Sequence, residues 1–133
     1  MDYIYFCRSS FCMGDDVCAP NMRRFEYSSE SFTEEDLKTC ITNYFTSNLR
    51  HFKWTGFCNG EFIASADCFG DDDNYQVVIE LNDNWESMLK ETRTIFFDHV
   101  GDYGVRDSQY YTLKRAEEVY NEDFNYKGKK YDS

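Results

Sequence analysis

The chain has 133 residues, which is enough for one domain with a buried core. Its 25 acidic and 14 basic residues give a formal net charge of −11 at pH 7. Proteins that bind nucleic-acid phosphates or anionic membranes carry clustered Lys and Arg, so the excess of acid argues against both functions. A hydrophobic content of 41%, with 19% aromatic residues, argues against intrinsic disorder. We expect many of the 11 tyrosines at the surface, since a domain this small has little room for so many large rings.

The beginning of the chain predicts no export signal. Met1 to Cys7 contains no basic residue, and its apolar run is too short for a signal peptide. No segment reaches the roughly 18 apolar residues of a membrane span. We therefore expect a cytoplasmic protein with reduced thiols at its cysteines. The cysteines are Cys7, Cys12, Cys18, Cys40, Cys58 and Cys68.

Two strands and a helix are predicted in the first third of the chain. Residues 3–8 form an apolar run typical of a strand, and Arg23–Tyr27 alternates aromatic with charged residues. Thr33 has the features of a helix N-cap with Asp36 as its capping-box partner, and Phe32 precedes it as one half of a hydrophobic staple. The following apolar residues recur at the spacing of one helix face: Leu37, Cys40, Ile41, Tyr44 and Phe45.

A three-stranded meander is predicted next. His51–Cys58 and Glu61–Phe69 flank Asn59-Gly60, the strongest two-residue hairpin signal. The expected register pairs Phe57 with Phe62, Trp54 with Ser65 and His51 with Cys68. It also places Cys58 and Cys68 on opposite faces. Residues 75–81 alternate like a third strand.

Two further helices complete the prediction. One begins at Asp83 or Asn84 and ends near Gly101. Its expected inward-facing residues are Trp85, Met88, Leu89, Ile95 and Phe96. The other runs from Asp107 or Ser108 to Phe124 with these residues inward: Tyr110, Leu113, Ala116 and Tyr120. The expected fold is α+β: a small antiparallel sheet, made of the N-terminal strands and the meander, packed by two or three helices. Residues 1–124 form a single acidic domain, and 125–133 form a flexible tail containing three lysines.

The order helix, three strands, helix over residues 33–97 resembles the double-stranded-RNA-binding domain. The resemblance is one of topology. Domains of that family grip phosphates with lysines at the start of the second helix, where this chain has Asn84, Trp85 and Glu86. The resemblance therefore implies an arrangement of elements and does not carry the function over.

The acidity is concentrated in one stretch of the chain. Residues 67–102 contain ten acidic residues against Lys90 and Arg93, which gives −8 of the total −11. Carboxylates spread over one face can imitate the phosphates of a duplex or complement a basic cleft, although charge runs are often only solvated surface. The candidate binding residues are Asp71, Asp72, Asp73, Tyr75, Asp83, Trp85 and Glu86.

Metal binding and catalysis have weaker support. The segment 71–74 lacks the central glycine and terminal glutamate of a calcium loop. The candidate zinc ligands are Cys7, Cys12, His51 and Cys68, of which His51 and Cys68 are predicted cross-strand neighbours. The same pair would be the nucleophile and base of a thiol enzyme, but a buried cysteine beside a structural histidine explains it more simply. No catalytic motif stands out, so we expect neither an enzyme nor a cofactor.

These observations favour a small acidic inhibitor or binding protein. Its partner would be a larger protein with a basic nucleic-acid-binding surface, which the chain occludes. Such chains are typical of phage and mobile-element counter-defence, including anti-CRISPR and anti-restriction proteins, and of immunity proteins against nuclease toxins. Two alternatives remain open: a zinc or thiol module built on the cysteines, and a protein whose aromatic pocket sequesters a nucleotide-like ligand.

Overall fold

The computed structural model describes residues 2–9, 22–45, 52–70, 74–99 and 104–127, and the side chains up to residue 121. The described part contains six strands and four helices. The strands are β1 (Asp2–Arg8), β2 (Arg23–Tyr27), β3 (Lys53–Cys58), β4 (Glu61–Phe69), β5 (Gln76–Leu81) and β6 (Thr94–Asp98). The helices are α1 (Glu34–Tyr44), α2 (Trp85–Thr92), α3 (Gly104–Tyr110) and α4 (Leu113–Lys127).

All six strands join one sheet in the order β2-β1-β6-β3-β4-β5. The predicted α+β class is confirmed, but the sheet is larger than expected and mixed, because β1 and β6 run parallel. The other neighbouring strands are antiparallel. Within the described residues, β2 and β5 are the two edge strands.

The first face of the sheet, to which Ile4, Trp54 and Phe97 point, carries the larger core. α1 and α2 cover it through Leu37, Ile41 and Leu89, all of which are fully buried. Its centre is aromatic: the Phe45 ring stacks on Trp54 at 5.1 Å between centroids and meets Phe97 edge-on at 5.0 Å. Burial of each such ring contributes roughly 2–3 kcal/mol, so this layer dominates the stability of the fold.

The second face, to which Tyr5, Phe57 and Phe96 point, is covered only in part. Ala116 and Tyr120 of α4 pack on β1, and α3 lies against β3 and β6. Beyond them the β4–β5 half of this face carries Phe62, Phe69 and Val78, which are 36%, 40% and 49% exposed. Among the described residues no helix covers that half.

Local signals in the sequence specify the start of α1 and the hairpin correctly. The Thr33 hydroxyl accepts a hydrogen bond from the Asp36 N–H at 3.2 Å, and the Asp36 carboxylate accepts one from the Thr33 N–H at 2.9 Å. Asn59 and Gly60 both have positive φ, 47° and 87°, as a type I′ turn requires. These two elements are set by contacts between near neighbours, which a sequence reports directly.

The predicted hairpin register is correct near the turn and wrong beyond it. Phe57 does lie opposite Phe62, but a bulge between Gly56 and Phe57 shifts the pairing, so that Trp54 lies opposite Ala66. The extra residue on β4 moves the later positions of that strand to the other face. Cys58 and Cys68 consequently belong to the same core, against the prediction. His51 lies outside the described residues.

The second predicted helix is wrong beyond Thr92. Arg93 takes a left-handed conformation at φ 52°, which ends α2, and Thr94–Asp98 forms β6 in the middle of the sheet. Its five residues are all buried because β6 is a central strand with a core packed on each of its faces. A fully buried strand shows no alternation, so its run of apolar residues was indistinguishable from a helix face by periodicity.

The third predicted helix is interrupted at residues 111–112, and Tyr110, expected inward, is 54% exposed. α4 continues to Lys127, into the segment expected to be a flexible tail. The order α1-β3-β4-β5-α2 is present as the resemblance to the double-stranded-RNA-binding domain implied, although β1, β2 and β6 extend the sheet. No helix in the described ranges is long and apolar enough to cross a membrane.

The expectation of a tyrosine-rich surface is wrong for the part of the chain that the structure describes. Of the eight tyrosines with described side chains, only Tyr110 is exposed. Four are buried: Tyr5, Tyr27, Tyr44 and Tyr120. A sheet with a core on each face provides more interior for large rings than the single core assumed from the chain length.

Candidate functional site

Exposed carboxylates converge on one end of the sheet, which we call the acidic end. It is the end at which β1 and β6 begin and β2, β3 and β5 finish. Among the described side chains, nine exposed carboxylates belong to it: Asp2, Glu30, Glu34, Glu35, Asp36, Glu61, Asp83, Glu86 and Glu91. The basic side chains described among them are Lys38, Lys90 and Arg93. The resulting surface is strongly negative.

A short chain of aromatic contacts assembles the acidic end. The ring of Tyr27, the last residue of β2, lies 5.1 Å from Phe32, and Phe32 lies 6.5 Å from Trp85. Because Phe32 precedes α1 and Trp85 begins α2, these contacts set the first turns of the two helices side by side. The carboxylates of both first turns therefore share one surface.

Ion pairs neutralise only part of this charge. Lys38 Nζ lies 3.5 Å from Glu34 Oε2, and Arg93 Nη1 lies 3.3 Å from Asp2 Oδ1. Burial raises the pKa of the Tyr27 hydroxyl, the carboxylates of Glu86 and Asp2 raise it further, and the Arg93 guanidinium lowers it.

The predicted binding residues are divided between the two ends of β5. Asp83, Trp85 and Glu86 follow β5 and belong to the acidic end. Tyr75 precedes β5, about 20 Å away along a six-residue strand, and donates a hydrogen bond to the Phe45 carbonyl at 3.1 Å. Asp71, Asp72 and Asp73 lie outside the described residues, and their neighbours Gly70 and Asn74 are at the Tyr75 end.

The carboxylates of α1 are the largest group of acidic-end residues that sequence reasoning missed, and Asp2, Glu30, Glu61 and Glu91 were missed as well. The helix dipole and the cap are a sufficient local explanation for the acidic first turn of α1, which consists of Glu34, Glu35 and Asp36. Their proximity to Asp83 and Glu86 depends on the Phe32–Trp85 contact, which joins residues far apart in the chain. The only available signal was that both helices have acidic first turns.

A different polar cluster lies at the opposite end, where the parallel strands β1 and β6 finish. The Ser9 hydroxyl donates to Asp98 Oδ1 at 3.2 Å and lies 3.1 Å from His99 Nδ1. Asp98, 1% exposed, also accepts the Gly104 N–H at 2.9 Å. A hydrolytic triad needs the imidazole between the hydroxyl and the carboxylate, whereas here the hydroxyl lies between the other two. The cluster ties together the ends of β1 and β6 and the start of α3.

The proposed zinc ligands do not come together in the described part of the chain. Cys7 lies in the core on the second face and Cys68 in the core on the first, so the sheet separates their sulfur atoms. Cys12 and His51 lie outside the described residues, and no group of three ligating side chains occurs among those described. Burial also raises the pKa of the Cys7 and Cys68 thiols, which disfavours the thiolate that a metal requires.

The chain matches no protein-family model, no curated protein and no solved structure.

Proposed function

We propose that this protein is a small acidic binding protein whose acidic end docks on the basic, nucleic-acid-binding surface of a larger protein and occludes it. The observation that supports the proposal is the convergence of nine exposed carboxylates, from separate segments of the chain, on one end of the sheet. Such a field attracts a basic surface over a distance of about 8 Å at physiological salt and accelerates association.

Helix stabilisation explains part of the pattern. Carboxylates in a first turn stabilise a helix by roughly 0.3–1 kcal/mol each, which accounts for Glu34, Glu35, Asp36 and Glu86 taken singly. It does not account for Asp2, Glu30 or Glu61, which lie outside helices on the same surface. A docking surface accounts for both groups.

The test is a charge reversal at the acidic end with a matched control elsewhere. The double variant Glu35→Lys/Glu86→Lys changes two exposed carboxylates of the acidic end, one on each helix. Asp67→Lys/Glu117→Lys makes the same change of net charge on the second face and α4. A third variant reverses Asp71, Asp72 and Asp73, the loop that the sequence singled out.

The tagged proteins are immobilised and exposed to host-cell lysate at about 50 mM and about 300 mM salt, conditions that strengthen and screen surface charge. We expect the natural chain to retain a nucleic-acid-binding protein at low salt, in competition with duplex DNA. The acidic-end variant should lose that protein while the control keeps it. Equal capture by both double variants, or capture that salt leaves unchanged, would contradict the proposal.

Occlusion is tested on the captured partner. Its nucleic-acid binding should fall as the natural chain is added and should be restored by the Glu35→Lys/Glu86→Lys substitutions. Binding of both ligands at once would show docking without inhibition. Counter-defence and toxin immunity remain predictions about the biological setting of this activity.

A further inference from the structure

A groove of about 560 Å³ runs between the edge strand β2 and the helix α1. Its apolar floor is formed by Phe25 and Tyr27, and Phe32 lies at the acidic end. Cys40 and five polar residues complete the lining: Glu26, Ser28, Ser31, Asp36 and Asn43. At the far end Arg23 donates a hydrogen bond of 2.7 Å to the Asn43 carbonyl and links strand to helix. The groove is therefore an elongated cleft beside a strand.

The backbone of β2 is oriented so that it can pair with a further strand. The Tyr5 N–H donates a hydrogen bond to the Arg93 carbonyl, on the β6 side of β1. The backbone groups of Tyr5 therefore point away from β2, and those of the adjacent Ile4 point toward β2. Ile4 lies opposite Phe25 and Asp2 opposite Tyr27, which are then the hydrogen-bonded pairs. Glu26 lies between them, and its N–H and C=O point to the outer edge. In the part of the sheet that is described, no strand lies beyond β2.

We propose that this groove binds an extended segment of the partner that bears lysine or arginine and adds to β2 as a strand. The inference rests on the proposed function, because it names the part of a basic partner that the acidic end receives. The five residues of β2 span about 17 Å and would pair with about five residues of the segment. Backbone hydrogen bonds would supply affinity, and alternate side chains would enter the groove.

Charge fixes the direction in which the basic side chains lie. Asp36 lines the groove at the acidic end, next to the exposed Glu34 and Glu35. Arg23 occupies the opposite end and repels a cation there. A segment with its basic residues toward Asp36 is therefore favoured over the reverse placement.

The probe is a synthetic peptide of alternating lysine and valine, compared with the same peptide N-methylated at alternate residues. N-methylation keeps the charge and the side chains and removes backbone donors. We expect the first peptide to bind in a fluorescence titration at low salt, and the methylated peptide to bind at least about tenfold more weakly, as the loss of two or more hydrogen bonds implies.

Hydrogen exchange of single amides reports where the peptide lies. At a peptide concentration about ten times its Kd, exchange of the Glu26 amide should slow about tenfold, because it exchanges only from the free protein. The amides of Phe25 and Tyr27 already face β1 and should change far less. Asp36→Asn should weaken binding up to about fivefold, whereas Glu117→Gln on α4 should not.

The outcomes separate this inference from the proposed function. If the peptide binds and Glu26 gains protection, strand addition is supported. If the peptide binds, yet Glu26 exchanges as before or N-methylation has no effect, strand addition is overturned while docking by the acidic end stands. If the peptide does not bind at all, the inference is overturned, and the lysate experiment still tests the proposed function.

Discussion

The two faces of the sheet differ in how completely they are covered. The first face lies under α1 and α2, and its core includes Trp54 and Phe97, both fully buried. The second face is covered by α3 and α4 over β1 and β6 but, in the described residues, lies open over β4 and β5. The acidic end is built by the helices of the first face. Stability and the candidate function are thus carried by the same layer, and substitutions there should have the larger effects.

Neighbouring residues of β6 provide the sharpest comparison of the two faces. Phe97 points to the first face and contacts Phe6, Tyr44 and Phe45, whereas Phe96 points to the second and stacks on Tyr111 at 5.7 Å. We expect Phe97→Ala to lower the free energy of unfolding by about 4–5 kcal/mol and Phe96→Ala by about 3 kcal/mol, because the described rings enclose Phe97 on more sides. Urea denaturation measures both. Equal losses would mean that the two layers pack equally well.

Two glycines, each packed against an aromatic ring, allow the same comparison of the two faces. A Cβ at Gly56 would lie 2.8 Å from the Phe97 ring and 3.0 Å from Ile95, both of which are fully buried. A Cβ at Gly104 would meet the ring of Phe57, which is only half-buried on the second face. Gly56→Ala should cost about 2–3 kcal/mol. Gly104→Ala should cost about 1–2 kcal/mol, because its Cβ would also lie 3.1 Å from the Cβ of buried Asp98 while the Phe57 ring is partly exposed. A larger loss for Gly104→Ala in thermal unfolding would reverse the expected order.

Alkaline pH should weaken the core on the first face through Cys58. Burial raises the pKa of this thiol from 9 to about 12, and its Sγ donates to the Thr94 carbonyl at 3.1 Å. Below pH 9 the Cys58 thiol is mostly neutral in the folded and in the unfolded chain, so its full contribution to the free energy of unfolding is present. Between pH 9 and pH 12 the unfolded chain loses the proton first, so unfolding becomes favoured.

The check on Cys58 is the difference in unfolding free energy between pH 8 and about pH 10.5, where the thiol of the unfolded chain is ionised. Cys58→Ala should reduce that difference. An unchanged pH dependence in Cys58→Ala would show that other groups, such as the buried tyrosines, govern alkaline unfolding.

How much of the fold could be predicted follows from the range of the contacts involved. The Thr33 cap and the Asn59-Gly60 turn depend on residues within a few positions of each other, and both were predicted. β6 depends on β1 and β3, which lie far away in the chain, so its sequence alone read as helix. The acidic end follows the same rule, since Asp83 and Glu86 were singled out, but Asp2 and Glu35 join them only through the folded sheet.

The smallest effect should be found where the second face is open. Phe69 is 40% exposed on β4, and its register neighbour on β5 is Gln76. Phe69→Ser should lower the free energy of unfolding by about 1 kcal/mol, because the ring is partly buried and packs on a strand but is not enclosed, and should raise solubility by removing exposed apolar surface. Phe6→Ser on the first face is the control and should prevent stable folding, since it buries a polar group among aromatic rings. A loss of about 3 kcal/mol or more for Phe69→Ser, as at a fully buried phenylalanine, would mean that this half of the face is covered and that the two faces are more alike than their described residues indicate.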